Sequence, residues 1–252
     1  MNFKIYFKLI LSTFVVCGFL LIGNPGAYAT ASTIIWGPST DTEAFKKLHV
    51  TSDFYVAAGN DSNHVRPATV TNFGLTAGIL PFKAVNGEIG FDHKSGTGVD
   101  SQPFYFNAKL AMPENSFSNY FPAIAVGVYD VGTSSKTTDD VAYVRGAKTF
   151  SVGKFLLGRF SAGVFMGNKN LLTYNGKKSN SGVLFGWERQ LSEISDKWWI
   201  GIDYQGSKSA YGSTNIGISY KFSDNVSMIY GYDFYNNHNL VDTFTVQLDI
   251  DF

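Results

Sequence analysis

Apolar and polar residues alternate along most of this chain with a period of two. The alternation is clearest in the last ten residues, where Phe244, Val246, Leu248, Ile250 and Phe252 are separated by polar positions. Because successive side chains of a β-strand point to opposite faces, such a segment has one apolar face and one polar face. The same period predicts twelve strands, at 48–58, 68–81, 87–94, 104–111, 122–130, 141–151, 154–167, 182–192, 197–206, 213–222, 225–235 and 241–252.

The connections between these segments alternate in length. One series is short, apart from 112–121, and the other series is longer and more polar. Short turns at one end and long loops at the other are typical of β-barrels that cross a membrane. We therefore predict an all-β fold for 48–252, a transmembrane antiparallel up-and-down β-barrel of about 12 strands, with 10 or 14 as alternatives. An even number of strands places both termini on one side of the membrane.

The final strand, with its apolar face ending at Phe252, is similar to the closing strand of bacterial outer-membrane β-barrels. The resemblance is to this class of proteins and identifies no particular member. It implies a location in the outer membrane with both termini in the periplasm. It also implies recognition of the C-terminal strand by the barrel-insertion machinery and contact with outer-membrane lipid and lipopolysaccharide.

The first 29 residues have the pattern of a cleaved secretory signal peptide. Lys4 and Lys8 precede an apolar stretch over 9–22, and a small-x-small sequence ends at Ala29. An uncleaved transmembrane helix is the alternative, but the apolar stretch is shorter than the roughly 20 residues that a membrane helix needs.

Residues 30–47 lie between this leader and the first predicted strand. They contain Trp36 beside Ile34 and Ile35, which are costly to leave in water, and Pro38, which disfavours a central strand. We predict that this segment folds back against the periplasmic mouth of the barrel or enters its lumen. A flexible leader is the alternative.

Composition narrows the classes of function. Cys17 is the only cysteine and lies in the leader, so 30–252 contain no disulfide framework and no thiolate ligand. Lysine and arginine number 20 against 20 acidic residues, and removal of Lys4 and Lys8 would leave 18 against 20. This balance argues against nucleic acid as a partner. The 26 glycines and the 16% of aromatic residues suit a barrel with many turns and aromatic girdles.

Alternation also assigns the two faces of each strand. The outward set is almost free of charge, as lipid contact requires, and aromatic residues near strand ends are expected at the membrane interface. A soluble β-sandwich could show the same alternation, but the leader, the terminal Phe252 and the difference between the two series of loops together favour the barrel. The residues assigned to the interface are Tyr204, Phe222, Phe234 and Phe252.

The inward set carries the candidate functional residues. Charges cannot lie unpaired in a dry interior, so they either face water or pair with one another. The first case predicts a narrow passive channel for small hydrophilic solutes, in which Lys109, Arg145 and Arg159 face Glu188, Asp203 and Asp233. The second predicts a closed barrel with a structural or surface-interaction role. The inward acids outnumber the inward bases, which favours cations. The residues predicted to line the pore are Asp53, Glu88, Asp92, Lys109, Arg145, Arg159, Glu188, Asp203, Lys221 and Asp233.

An enzyme is the rival class. The histidines are His49, His64, His93 and His238, and His93 has a serine, Ser95, close by on the outward face near the expected rim. A lipid hydrolase of the barrel rim would need such a pair, but no Gly-x-Ser-x-Gly motif accompanies it. No histidine pair has helical ligand spacing. We therefore predict no catalytic residues, no cofactor and no metal site, and expect a monomer.

Overall fold

The computed structural model of the chain describes residues 32–153 and 155–252. The predicted signal peptide over 1–29 lies outside these ranges. Within them, no helix is long and apolar enough to cross a membrane.

Fourteen strands follow one another along the described chain. Twelve form a closed antiparallel barrel, and β8 and β9 form a separate two-stranded hairpin inside one loop. The strands are β1 (Leu48–Ala57), β2 (Val70–Gly78), β3 (Asn86–Ser95), β4 (Phe104–Met112), β5 (Ala123–Gly132), β6 (Val141–Val152), β7 (Phe155–Met166), β8 (Thr173–Tyr174), β9 (Lys177–Lys178), β10 (Ser181–Gln190), β11 (Trp198–Gln205), β12 (Ser213–Ser223), β13 (Val226–Tyr235) and β14 (Thr243–Asp251).

Each barrel strand pairs with its sequence neighbours, β7 pairing directly with β10, and β1 pairs with β14 to close the ring. The register at this closure places His49 opposite Asp251 and Ala57 opposite Thr243. The predicted all-β, twelve-stranded up-and-down barrel is confirmed. The short hairpin of β8 and β9 falls in a region that the sequence predicts as loop.

The two ends of the barrel differ. We call one end the turn rim; it carries the connections 79–85, 113–122, 191–197 and 224–225. The other end, the loop rim, carries 58–69, 96–103, 133–140, 167–180, 206–212 and 236–242. β1 starts and β14 ends at the turn rim.

The outside of the barrel is apolar. Phe73, Phe106, Val164 and Phe185 are each about half exposed, at 51–52%. A soluble protein would bury such side chains, whereas a transmembrane barrel presents them to lipid. Of the predicted interface aromatics, Tyr204 and Phe234 lie towards the loop rim, and Phe222 and Phe252 towards the turn rim.

Candidate functional site

A segment of the chain itself lies in the lumen. Residues 32–39, which we call the lumenal hairpin, reverse direction through a hydrogen bond from Ile34 N–H to Gly37 O of 2.9 Å. Ser39 N–H donates to Ser32 O at 2.9 Å and pairs the two arms. Residues 40–47 then lead to the start of β1 at the turn rim. The segment that the sequence analysis assigned to the mouth or lumen therefore lies against the lumen wall.

Asp203 of β11 holds the turn of the hairpin. Its Oδ2 accepts the backbone N–H groups of Ile35, Trp36 and Gly37 at 2.8, 3.0 and 3.2 Å. Its Oδ1 accepts the Nδ2–H of Asn215. Three convergent backbone donors satisfy one buried carboxylate, which is 1% exposed. Hydrogen bonds to a charged acceptor are stronger than neutral ones, so this is a principal anchor of the hairpin.

Arg145 of β6 anchors the hairpin from the other side. Its Nη1 donates to Pro38 O at 2.8 Å, and its Nη2 donates to Ser161 Oγ at 2.8 Å. The side chain is 1% exposed. A Cβ on Gly37 would lie 3.2 Å from Arg145 Nη1, so glycine permits this close approach.

Arg159 of β7 binds the connecting segment. It forms an ion pair with Asp41, and its Nη2 donates to Thr40 Oγ1 at 2.5 Å. Glu188 of β10 lies 3.6 Å from the same guanidinium and accepts the indole N–H of Trp199 at 3.3 Å. The pairing links two neighbouring strands to the segment that occupies the lumen.

Lys109 of β4 and Glu88 of β3 form a further anchor, with their charged atoms 3.0 Å apart. Lys109 Nζ donates to Ser32 O at 3.0 Å and to Asp41 O at 2.5 Å. Glu88 accepts the Ser32 hydroxyl at 2.9 Å and the Glu43 backbone N–H at 2.8 Å. Both charged side chains are nearly inaccessible to solvent, at 5% and 3%.

The tip of the hairpin packs by shape and aromatic contact. The Trp36 ring lies edge-on to Tyr55 at 5.1 Å and to Tyr235 at 6.1 Å between centroids. Ile34 and Ile35 are buried. A Cβ on Gly186 would lie 2.6 Å from Ile34 Cδ1, so the glycine in the wall makes room for the tip.

A second polar layer lies at the loop rim. Lys94 pairs with Asp130 at 2.5 Å, and the single Tyr211 hydroxyl proton is shared between Asp130 and, at 3.0 Å between the oxygens, Asp139. Burial, reinforced by repulsion from Asp130, raises the pKa of Asp139 to about 6. Leu172, from the loop that carries β8, is buried beside this layer.

Four predicted pore residues have partners other than the hairpin. Asp53 and Asp92 each accept from Asn72 at 3.0 Å. Asp233 accepts the Thr243 hydroxyl at 2.8 Å. Lys221 pairs with the exposed Asp224 at 3.1 Å, at the turn rim.

The charged residues thus pair with residues of neighbouring strands and with residues 32–43. This differs from the sequence-based expectation of a basic wall that faces an acidic wall across the lumen. The middle of the lumen is packed: Asp203, Asn215 and Asp233 are at most 1% exposed. In this conformation these wall residues are almost entirely inaccessible to water.

The sequence analysis missed one cluster. Glu43, His49, Asp249 and Asp251 meet at the turn rim, where β1 pairs with β14. The signal was present, because closing a barrel pairs its first strand with its last. That pairing would have placed His49 beside the two inward acids of the final strand.

Comparison with known proteins shows likeness in fold at low identity. An outer membrane channel from Pseudomonas putida F1 aligns over 91% of this chain and 99% of its own, with 12% identity and a TM-score of 0.48. The NanC porin aligns over 81% of this chain and 98% of its own, with 9% identity and a TM-score of 0.45. No protein-family model and no curated protein matches the chain.

Proposed function

We propose that this chain is an outer-membrane β-barrel that forms a narrow channel for small hydrophilic solutes and is closed by its own lumenal hairpin. The apolar exterior and the charged interior support a membrane barrel with a polar path. The observation that carries the channel proposal is the nature of the plug. The plug is the short segment joined to β1, and many of its anchors are polar groups that water would solvate if the segment left the lumen.

The orientation and partners follow from the same proposal. The short turns suit the periplasmic side and the long loops the cell surface, so both ends of the barrel sequence face the periplasm. The exterior contacts outer-membrane lipid, and the loop rim contacts lipopolysaccharide. β14 is the segment that we propose for recognition by the barrel-insertion machinery.

Deletion of residues 32–42 tests the channel. The mature protein and the deletion variant are refolded and measured as single channels in a planar bilayer with a salt gradient. We expect the intact protein to be closed with rare openings and the variant to give steady steps. The sign of the reversal potential tests the preference for cations, which the excess of acids on the inward face favours.

A permanently closed barrel is the second candidate. The near-zero exposure of Arg145, Asp203 and Asp233 favours it, since nothing then needs to move. Silence from a deletion variant that is shown to be folded, by its heat-dependent shift in gel mobility, would overturn the channel proposal and leave a structural or surface role.

A further inference from the structure

The cluster at the barrel closure has the composition of a metal site. His49 Nδ1, Glu43 Oε1 and Asp251 Oδ1 all lie within 4.8 Å of one another. Nδ1 is 2.7 Å from Asp251 Oδ1 and 3.8 Å from Glu43 Oε1. Donors of a tetrahedral zinc ion are about 3.3 Å apart, so small side-chain shifts would accommodate one ion.

Glu43 provides an independent indication of a ligand. Its side chain is 2% exposed, and no hydrogen-bond donor among the described residues serves its Oε1, which faces His49. A buried carboxylate oxygen without a partner is costly, and most such atoms are satisfied in native proteins. A cation bound at this point would satisfy it.

Asp249 completes the arrangement. Its Oδ1 lies 3.3 Å from His49 Nε2, on the side of the ring away from Glu43. A histidine that binds metal through one nitrogen commonly donates its other N–H to a carboxylate, which fixes the tautomer and the ring orientation. The proton on Nε2 would then be held by Asp249, and the ion would replace the hydrogen bond that joins Nδ1 to Asp251 Oδ1 at 2.7 Å.

Charge favours the same conclusion. Three carboxylates surround one imidazole, so when all three are ionised a protonated His49 balances only one of the three negative charges. Lys109, the nearby lysine, is paired with Glu88 at 3.0 Å. A divalent ion compensates these charges more completely than a proton does.

We propose that Glu43, His49 and Asp251 bind a divalent transition-metal ion, with Zn²⁺ as the reference ion and Asp249 as a positioning residue. One nitrogen and two carboxylate oxygens suit zinc and its neighbours better than calcium, which takes 6–8 oxygen ligands. The ion would join the segment behind the lumenal hairpin to both strands of the barrel closure. Binding of the ion does not depend on the channel proposal.

The test is a titration of the refolded full barrel, stripped with EDTA, with Zn²⁺ by calorimetry and with Co²⁺ by visible absorption. We expect one ion per chain and ligand-field bands of Co²⁺ in a nitrogen and oxygen site. Glu43→Gln and His49→Gln should each lower the affinity at least tenfold, and Asp249→Asn should lower it about 10- to 100-fold.

The control is His64→Gln with His238→Gln, which removes the two loop histidines and should leave binding unchanged. Glu43→Gln preserves size and both inter-strand acids, so it remains informative if His49→Gln fails to fold. Affinity equal in the wild type and in Glu43→Gln, or Ca²⁺ displacing Zn²⁺ at equal concentration, would overturn the proposal.

Discussion

Asp203 is a single side chain that contributes several of the hydrogen bonds that hold the lumenal hairpin in the closed lumen. The Asp203 carboxylate accepts hydrogen bonds from three backbone N–H groups and one side-chain amide, which compensate for the burial of its charge. The strength of each of these hydrogen bonds depends on the negative charge of the carboxylate. Removing one partner of a buried charged hydrogen bond costs more than a neutral bond contributes, because the remaining groups stay desolvated. Local changes at this residue should therefore alter the position of the whole hairpin.

Asp203→Asn should open the lumen. The three backbone N–H groups then have at best a neutral amide oxygen as their acceptor, and the loss of charged hydrogen bonds, about 1.5–3 kcal/mol, corresponds to at least a tenfold rise in the ratio of open to closed channels. Single-channel recording checks this ratio. Asp92→Asn is the matched control, because Asp92 is also inward but accepts from Asn72 and Asn107 and not from the hairpin. Equal effects of the two substitutions would contradict the assignment of Asp203 as an anchor.

Asp139 gives the loop rim a dependence on pH. Its pKa is raised to about 6, above the value near 3.9 of an unfolded chain, so the folded protein binds more protons between these values. Stability should therefore rise as the pH falls from 7 towards 4. Asp139→Asn should remove this part of the dependence, as measured by urea unfolding in lipid vesicles at several pH values. Asp100→Asn, in another loop, should keep it.

The elements of this fold follow from sequence more directly than the site does. The predicted strand ends lie close to the observed ones, because a period of two with one lipid face sets the register of each strand. The small hairpin of β8 and β9 escaped prediction, since two-residue strands carry no period. The contacts of Asp203 with backbone N–H groups also escaped it, because they depend on the path of residues 34–37 and not on residue type.

The wall and the hairpin are fitted to each other through glycine. A Cβ on Gly186 would lie 2.3 Å from Arg145 Nη2 and 2.6 Å from Ile34 Cδ1, while one on Gly146 would meet nothing closer than Ala123 O at 3.7 Å. Gly186→Ala should lower the free energy of unfolding by about 1–3 kcal/mol through overpacking. Gly146→Ala should be neutral or stabilising, by up to about 1 kcal/mol. Urea unfolding in vesicles compares the two variants, and similar losses would contradict the fit.

At the scale of the whole molecule, the arrangement of polarity is that of a protein in lipid. The exposed side chains around the barrel are apolar, and the charges lie in the lumen or towards the rims. Water alone cannot favour both the apolar outer surface and the charged lumen. The fold therefore depends on hydrocarbon around the outer surface and on pairing of the charged side chains in the lumen.

Phe185→Arg tests this arrangement. Phe185 lies in the middle of β10 and is 51% exposed, so an arginine there should cost about 2–4 kcal/mol in a bilayer. An arginine at Val65, a loop residue that is 60% exposed, should cost less than about 0.5 kcal/mol. Unfolding free energies in vesicles compare the two, and equal costs would show that Phe185 does not face lipid.

The pairing of β1 with β14 has a consequence for the order in which each molecule folds. It joins strands at opposite ends of the barrel sequence, so it closes the longest loop in the chain and carries the largest entropic cost of any strand pairing. Until this pairing forms, the sheet has two unpaired edge strands, which can form hydrogen bonds with another chain. Because the lumenal hairpin is joined to β1, the pairing of β1 with β14 and the enclosure of the hairpin in the lumen are coupled. The connectivity therefore couples two steps of folding: the step that closes the barrel wall is also the step that encloses the hairpin in the lumen.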